Sequence, residues 1–464
     1  MGKYFGTDGV RGVAGADLTC ELAMKIGRGA AAVLTGSTGH RPRILIGKDT
    51  RQSGDMLEAA LTAGLCSVGA DVESLGVLPP PAVAYLVRKY NADAGVVISA
   101  SHNPMEFNGI KIFAGTGYKL PDEVENQIEA YIDNNCAGIE LKTGAEVGRV
   151  YRRDDGLQDY VDHLYESIHG DLTGLNVCID CANGASAVVA QKLFPRLGAK
   201  CTFLGISPDG ENINKGVGST HLDNLEKAVV EGGFDCGIAF DGDADRLGVV
   251  TRSGNIIYPD RQMMLFAEDI LKHHPGAQII YDVKCTRALV PWIRERGGVP
   301  TISATGHSLV KARLRETGAP FAGEMSGHLF FNDGRWPGFD DGLYAAARLL
   351  EIVSRSDNPS AVLDALPTAV NTPELHIEFS KEGENKAFIE KLRQAAKFDD
   401  AEDVILIDGL RVEFKDGFAL ARSSNTTPVA VIRVEGDTPE ALERIKERFS
   451  AFILSVDPTV KLPF

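Results

Sequence analysis

No apolar run in this chain approaches the roughly 18 residues that a membrane span needs. Nothing in the opening Met1-Gly-Lys-Tyr-Phe-Gly-Thr7 resembles the apolar centre of a signal peptide. A long basic block is also missing, and the formal net charge is −16. That balance argues against an electrostatic nucleic-acid partner, so anionic ligands must be held by local clusters of Arg, Lys and backbone amides. A cytoplasmic protein with neither membrane nor nucleic-acid partner is expected. Cysteine is sparse, with eight scattered over 464 residues, which fits reduced thiols. Cys178 and Cys181 form a Cys-x-x-Cys, but no second pair completes a zinc site. The motif also ends a strand where a thioredoxin-type motif would open a helix, so both read as small core or strand-end residues. A Gly-x-Ser-x-Gly elbow is likewise absent.

The length suggests three or four domains at roughly 100 to 200 residues each. A repeating order emerges from the apolar runs. Strand-like Arg43 to Gly47, helical Met56 to Val68, strand-like Asp71 to Gly76, helical Ala82 to Tyr90 and strand-like Ala94 to Ile98 form the first unit. The same order returns from Leu175 to Phe240 and again from Gln278 to Gly323. Such alternation implies parallel sheets covered by helices. The last hundred or so residues change character. Strand-like runs at Glu374–Phe379, Val404–Ile407, Leu410–Phe414, Phe418–Arg422 and Val429–Val434 precede one closing helix, Pro439 to Leu454, giving a mainly antiparallel α+β module.

Each repeated unit is expected to deliver a polar loop at the carboxyl end of its last strand, where open α/β sheets bind ligands. The second such loop, Asp241-Gly-Asp243-Ala-Asp245-Arg246, follows the apolar run Gly237–Phe240. Three hard oxygen ligands this close repel one another unless a divalent cation sits among them, and an oxygen-only set selects Mg²⁺, Ca²⁺ or Mn²⁺. An EF-hand is excluded because Arg246 and Arg252 stand where it needs Gly and a bidentate acid. Mg²⁺ usually completes its octahedral shell with water and substrate phosphate, so a phosphate ligand is the natural missing partner.

The first loop, Ser99-Ala-Ser101-His102-Asn103-Pro104, offers hydroxyls and an imidazole. Adjacent Ser and His side chains point apart, so a hydrolase triad is not expected, whereas a phosphoryl-accepting hydroxyl needs a metal and positive charge around it. The residues alone do not decide between Ser99 and Ser101. The third loop, Gly323-Glu324-Met325-Ser326-Gly327-His328, pairs a carboxylate and a hydroxyl suited to vicinal sugar hydroxyls. The fourth, Arg422-Ser423-Ser424-Asn425-Thr426-Thr427-Pro428, carries the donors of a phosphate cradle. Lys111, Arg11, His307, Lys284 and His328 complete a set of candidate cations.

These four loops, in this order, resemble the α-D-phosphohexomutase superfamily over essentially the whole chain. The resemblance implies three similar mixed-sheet α/β domains followed by a smaller α+β domain, heart-shaped around a central cleft. Boundaries are expected at 1–150, 151–251, 252–367 and 368–464, carrying in turn the active-serine, metal, sugar and phosphate loops. The implied enzyme is an isomerase that interconverts hexose 6-phosphate and hexose 1-phosphate through a phosphoserine and a hexose 1,6-bisphosphate, which also acts as activator or primer. Carried over residue by residue, Ser101 matches the phosphoserine, and Asp241, Asp243 and Asp245, with a phosphoserine oxygen, match the Mg²⁺ ligands. Lys111, Arg11, His102, Arg246 and His328 match the positions around the reacting oxygens. Lys284, Thr305, Gly306 and His307 match substrate-binding positions, Glu324 and Ser326 sugar-hydroxyl contacts, and Arg422, Ser424, Asn425 and Thr426 the distal phosphate cradle.

The first half, with Lys3–Gly12, Ile98–Pro104 and Asp209–Asn214 followed by Gly218–His221, looks like phosphoglucosamine mutases. From Asp282–Arg287 onward, through Thr305–Ser308, Gly323–His328 and Gly338–Tyr344, the chain is similar to phosphomannomutase/phosphoglucomutases. Met325 stands where phosphoglucosamine mutases carry Gln, and Asn425-Thr-Thr-Pro428 where they carry a Gly-Thr-Glu-Pro type loop. Ala244 replaces a more usual Gly and is expected to leave the carboxylates in place. Because the sugar-facing domains lie in the second half, mannose and glucose phosphates are favoured, with glucosamine phosphate as the alternative. A metal-dependent sugar phosphatase and a non-enzymatic sugar-phosphate sensor are the competing classes. A monomer or homodimer is expected.

Overall fold

The computed structural model describes residues 2–6, 9–381, 383–425 and 427–464. The chain divides into two compact units.

One unit comprises Met1–Tyr258, Gly327–Leu329 and Phe339–Asp364 and holds two sheets. The first runs in the order Val10–Val13, Phe107–Ala114, Ala94–Ile98, Arg43–Lys48, Asp71–Val77, Val150–Arg152. Arg43–Lys48 is parallel to both of its neighbours, but Phe107–Ala114 is antiparallel to Ala94–Ile98 and to Val10–Val13. The second sheet runs Leu247–Thr251, Cys236–Phe240, Asn176–Asp180, Lys200–Leu204. Asn176–Asp180 is parallel to both neighbours, and Leu247–Thr251 is antiparallel to Cys236–Phe240.

Both sheets are therefore mixed rather than purely parallel as the alternation implies. The strands Ala94–Ile98 and Cys236–Phe240 are buried throughout, which is why they read as unbroken apolar runs. Neither is the last strand of its unit. The chain turns directly back from each as an antiparallel strand, a connection too short to permit a parallel crossover. The serine and aspartate loops thus sit at the tips of hairpins, braced on both sides by paired backbone. Cys178 and Cys181 are fully buried, and burial pushes their thiols up to about 11 and about 12, in line with a core role.

Two helices of this unit, Cys20–Thr38 and Ser53–Ser67, cross at closely apposed backbones. A Cβ at Gly64 would lie 2.2 Å from the Met24 carbonyl oxygen, and one at Gly27 would lie 2.4 Å from that of Leu61. Helix Gly342–Val353 also belongs here, capped by Asp341, whose carboxylate accepts from the Tyr344 amide and the Tyr160 hydroxyl.

The other unit comprises Pro259–Ser326, Phe330–Gly338 and Ala365–Phe464. Its first sheet has the order Val299–Ser303, Gln278–Asp282, Phe321–Gly323, Leu329–Phe331, with Gln278–Asp282 parallel to both neighbours. Its second runs Val370–Asn371, Val429–Gly436, Gly417–Ser423, Leu410–Phe414, Asp403–Ile405, and Leu375–Glu378 also pairs with Val429–Gly436. This sheet is antiparallel.

The closing helix, Pro439–Val456, is joined by a second one that strand-directed reading passes over, Glu384–Ala395. Its Phe388, Ile389 and Leu392 lie at helical spacing and pack in one core with Ile445, Phe449 and Ile453.

Replacing Gly64 by Ala is expected to destabilise the first unit by about 1–3 kcal/mol, because backbone cannot move aside as a side chain can. The check is its thermal unfolding midpoint, which should fall; a wild-type midpoint would show that the two helices are free to separate.

Candidate active site

Ser101 begins the site. It lies just past strand Ala94–Ile98, is 1% exposed, and has a φ of 52°, in the left-handed region that non-glycine residues rarely adopt. Its hydroxyl donates to Asp241 Oδ2 at 2.7 Å. His102 Nδ1 lies 3.5 Å from Ser101 Oγ, closer than the divergent side chains of neighbouring residues suggest, but the shorter contact to Asp241 takes the hydroxyl proton. Burial lowers the His102 pKa to about 3, with the Arg246 and Arg11 charges adding to it, so the ring is neutral near pH 7.

Asp241, Asp243 and Asp245 converge at the end of strand Cys236–Phe240, each offering an oxygen within 4.8 Å of the others. Ala244 between them takes a φ of 59° and, as expected from the sequence, leaves the carboxylates together. Asp241 and Asp243 are fully buried and Asp245 is 6% exposed. Burial first, and Asp243 second, push Asp241 up to about 6, and burial raises Asp245 well above the usual carboxylate range. Among the described residues, Asp245 Oδ1 is buried and accepts no hydrogen bond. An all-carboxylate donor set with an unsatisfied buried oxygen fits a hard divalent cation.

Positive charge surrounds this cluster. Lys111 Nζ, on the hairpin strand Phe107–Ala114, lies 3.0 Å from Asp243 Oδ2 and 3.9 Å from Asp245 Oδ2. Arg246 Nε is 3.7 Å from Asp241 and donates to His328 Nε2 at 3.2 Å. Because Nε2 accepts from Arg246, a neutral His328 ring carries its proton on Nδ1, which lies 3.0 Å from Asp340 Oδ2. Arg11 stands opposite Gly109 on the edge strand, near enough to His102 to act on its charge. The structure thus gathers Ser101, His102, Lys111, Arg11, Arg246, His328 and the three aspartates within one unit.

The residues that hold Ser101 in place escape a reading by motifs. Arg51, whose side chain is wholly buried with that of Asp49, donates to the backbone oxygens of Ser101 (2.9 Å), Asn103 (2.8 Å), Phe107 (3.0 Å) and Pro104. Asn214 Nδ2 donates to the Ser101 oxygen as well, at 2.9 Å. Ser99 is a support too: its hydroxyl lies 2.6 Å from Asp49 and 3.2 Å from Asp243, and it accepts from the Ser101 amide. Both serine hydroxyls thus meet carboxylates: Ser99 is shared between Asp49, Asp243 and the Ser101 amide, and Ser101 faces Asp241.

In the other unit, Glu324 Oε1 accepts from the Gly306 amide at 2.6 Å. Asp282, fully buried at a strand end, accepts from the Thr305 hydroxyl (2.9 Å) and the Met325 amide (3.1 Å). Arg411 donates to the carbonyls of Val283 and Cys285, both at 2.7 Å, and so fixes Lys284 between them. Lys284 pairs with Glu374 at 2.6 Å. Burial alone would raise the Glu374 pKa, but Lys284, Arg433 and Arg422 together leave it lowered. Ser326 and His307 are half-buried, His307 opening the helix His307–Thr317. Asn425 Nδ2 donates to the Thr305 oxygen at 3.3 Å. The Ser424 and Val429 carbonyls that flank the phosphate loop both accept from Asn385, on the helix Glu384–Ala395. Thr426 lies outside the described residues.

The raised Asp241 carries a pH signature. Its protonated form is favoured in the fold, so the cation-free cluster loses stability as pH rises through the window from 3.8 to about 6. A cation needs the ionised form. After chelator treatment, added Mg²⁺ should therefore raise the melting temperature more near pH 7 than near pH 5. An equal rise at both, or none, would contradict a metal role for the trio.

Known proteins share this plan. Residues 2–137, 158–254, 258–370 and 380–452 match, in turn, domain I, domain II, domain III and the C-terminal domain of phosphoglucomutase/phosphomannomutase. A phosphoglucomutase of Neisseria gonorrhoeae is 44% identical over 96% of this chain and 95% of its own. A phosphoglucosamine mutase of Acetivibrio thermocellus is 43% identical over 96% of this chain and 97% of its own. The crystal structure of a phosphoglucomutase/phosphomannomutase family protein from Burkholderia thailandensis superposes with a TM-score of 0.89 at 43% identity, covering 99% of each chain. With all four domains matched in order and relatives this similar along their whole length, the chain belongs to the phosphoglucomutase/phosphomannomutase family, in the α-D-phosphohexomutase superfamily.

Proposed function

We propose that this enzyme interconverts hexose 6-phosphate and hexose 1-phosphate, with Ser101 as the phosphoryl carrier. The observation that carries the reading is the 2.7 Å contact between the Ser101 hydroxyl and Asp241 inside the buried carboxylate trio. Asp241, Asp243, Asp245 and an oxygen on Ser101 would hold Mg²⁺, which when bound supplies charge stabilisation to the phosphoryl group. In the forward half-reaction the bond from phosphorus to Ser101 Oγ breaks and a bond to a sugar hydroxyl forms. The sugar hydroxyl gives up its proton to a nearby base, and Ser101 Oγ regains one. Lys111, with Arg11 and His328, serves this proton transfer and the charge on the reacting oxygens. Arg246 orients His328, and the neutral His102 flanks Ser101 without competing for phosphate charge.

The product of that step is a hexose 1,6-bisphosphate, which turns over and returns its other phosphate to Ser101. Glu324, Ser326, Thr305, Gly306, His307 and Lys284 hold the sugar, and Arg422, Ser424, Asn425 and Thr426 the phosphate that is not reacting. A trace of hexose 1,6-bisphosphate primes the enzyme. The protein works in the cytoplasm as a monomer or homodimer on small hexose phosphates. Among the described residues, no helix is long and apolar enough to cross a membrane.

The sugar is mannose or glucose. Overall similarity does not decide this, because the relatives named for glucose and for glucosamine are 44% and 43% identical. The choice rests on Met325, whose amide is pinned by Asp282 in the sugar loop, and on the other motifs of the second half. In turnover assays with Mg²⁺ and bisphosphate primer, mannose and glucose 6-phosphates should be converted faster than glucosamine 6-phosphate. Faster conversion of the amino sugar overturns the choice, and steady release of inorganic phosphate identifies a phosphatase instead. Ser101→Ala should cost at least about a thousandfold in kcat while leaving sugar-phosphate binding nearly intact. Near-normal turnover by that variant would remove Ser101 from the chemistry.

A further inference from the structure

We propose that Asp408 is a positioning residue that couples the phosphate loop to the sugar loops. The inference rests on the hexose-phosphate reading above. Asp408 lies in the turn between strands Asp403–Ile405 and Leu410–Phe414, and that turn is pressed against strand Gly417–Ser423. The next residue shows how tightly: Gly409 has a φ of 89°, and a Cβ there would lie 2.3 Å from the Ala421 oxygen.

One oxygen of Asp408 serves two loops. Oδ2 accepts from Arg422 Nε at 2.9 Å and from the Thr305 amide at 2.9 Å. Thr305 in turn ties its hydroxyl to Asp282 and its carbonyl to Asn425 of the phosphate loop. The following amide, Gly306, reaches Glu324. A single carboxylate therefore holds a cradle arginine on one side and the backbone that carries the sugar loop on the other.

Arg422 is also left with work to do. It is 4% exposed, and among the described residues its Nη2 is buried without a hydrogen-bond partner. A buried guanidinium nitrogen in that state is costly unless an oxyanion meets it. Asp408 engages Nε and leaves Nη2 unpaired, so the guanidinium is oriented before a phosphate arrives. Pre-set geometry of this kind lowers the cost of binding and has no part in bond breaking. Asp408 accordingly acts on affinity, through Arg422 and Thr305, and not on the Ser101 chemistry.

The test is Asp408→Asn, which keeps the shape and removes the charge. KM for hexose 6-phosphate and the calorimetric Kd for glucose 1-phosphate should both rise about tenfold, the loss expected of one charge-assisted bond, with kcat within about twofold of wild type. The melting midpoint should stay at the wild-type value, and Asp408→Glu should recover part of the affinity. In a cycle with Arg422→Lys, the double variant should lose less affinity than the product of the two single losses, because each change disables the same device. Wild-type affinity in Asp408→Asn, a fall in kcat at unchanged KM, or strictly multiplicative losses would each overturn the proposal. If the wild-type enzyme converts no hexose phosphate, the functional reading fails, while the calorimetric comparison still decides the role of Asp408.

Discussion

Three carboxylates buried around one serine hydroxyl form the constraint from which the rest of this structure follows. Ionised side by side away from water they repel one another, and the raised Asp241 and Asp245 express burial first and that repulsion second. A fold does not keep such a cluster without something to set against it. Lys111 and Arg246 supply part of the opposing charge, and a divalent cation would supply the remainder.

The supports around this centre follow one pattern. Loops at the carboxyl ends of strands are held in large part by buried side chains reaching in from elsewhere. Arg51 grips the serine loop through its carbonyl oxygens, Asn214 grips the same loop from another part of the chain, and Arg246 donates to His328. In the other unit Arg411 brackets Lys284, Asn385 spans the phosphate loop and Asp282 joins two sugar-loop segments. Ser101 needs this most, because its left-handed backbone is not one that it would adopt unaided. Ala244, at a similar φ, is held by backbone instead: its amide donates to the Asp241 oxygen and its own oxygen accepts from the Gly342 amide.

Much of this was legible in the sequence where the signal was local. The aspartate trio, the serine loop and the phosphate loop each concentrate their chemistry in a few consecutive residues, and the central strands announce themselves as unbroken apolar runs. What could not be read depends on distance along the chain. Asn214 and Ser101 are 113 positions apart, and Arg51 and Ser101 are 50 apart, with no periodicity linking them. The antiparallel strands Phe107–Ala114 and Leu247–Thr251 were hidden because alternation of strands and helices favours a parallel reading. Helix Glu384–Ala395 is a different case. Its spacing is readable, but it lies among β-rich runs that mask it, and its Asn385 holds the phosphate loop.

The central claim is that phosphorus is carried on Ser101 between positions of one sugar. It is tested most directly by incubating the enzyme and Mg²⁺ with hexose 1,6-bisphosphate bearing labelled phosphate, then mapping the label by digestion and chasing it with unlabelled hexose 6-phosphate. Label is expected on the peptide containing Ser101, lost on replacement of that serine and recovered in hexose phosphate during the chase. Label on another residue, or label recovered only as inorganic phosphate, would contradict it.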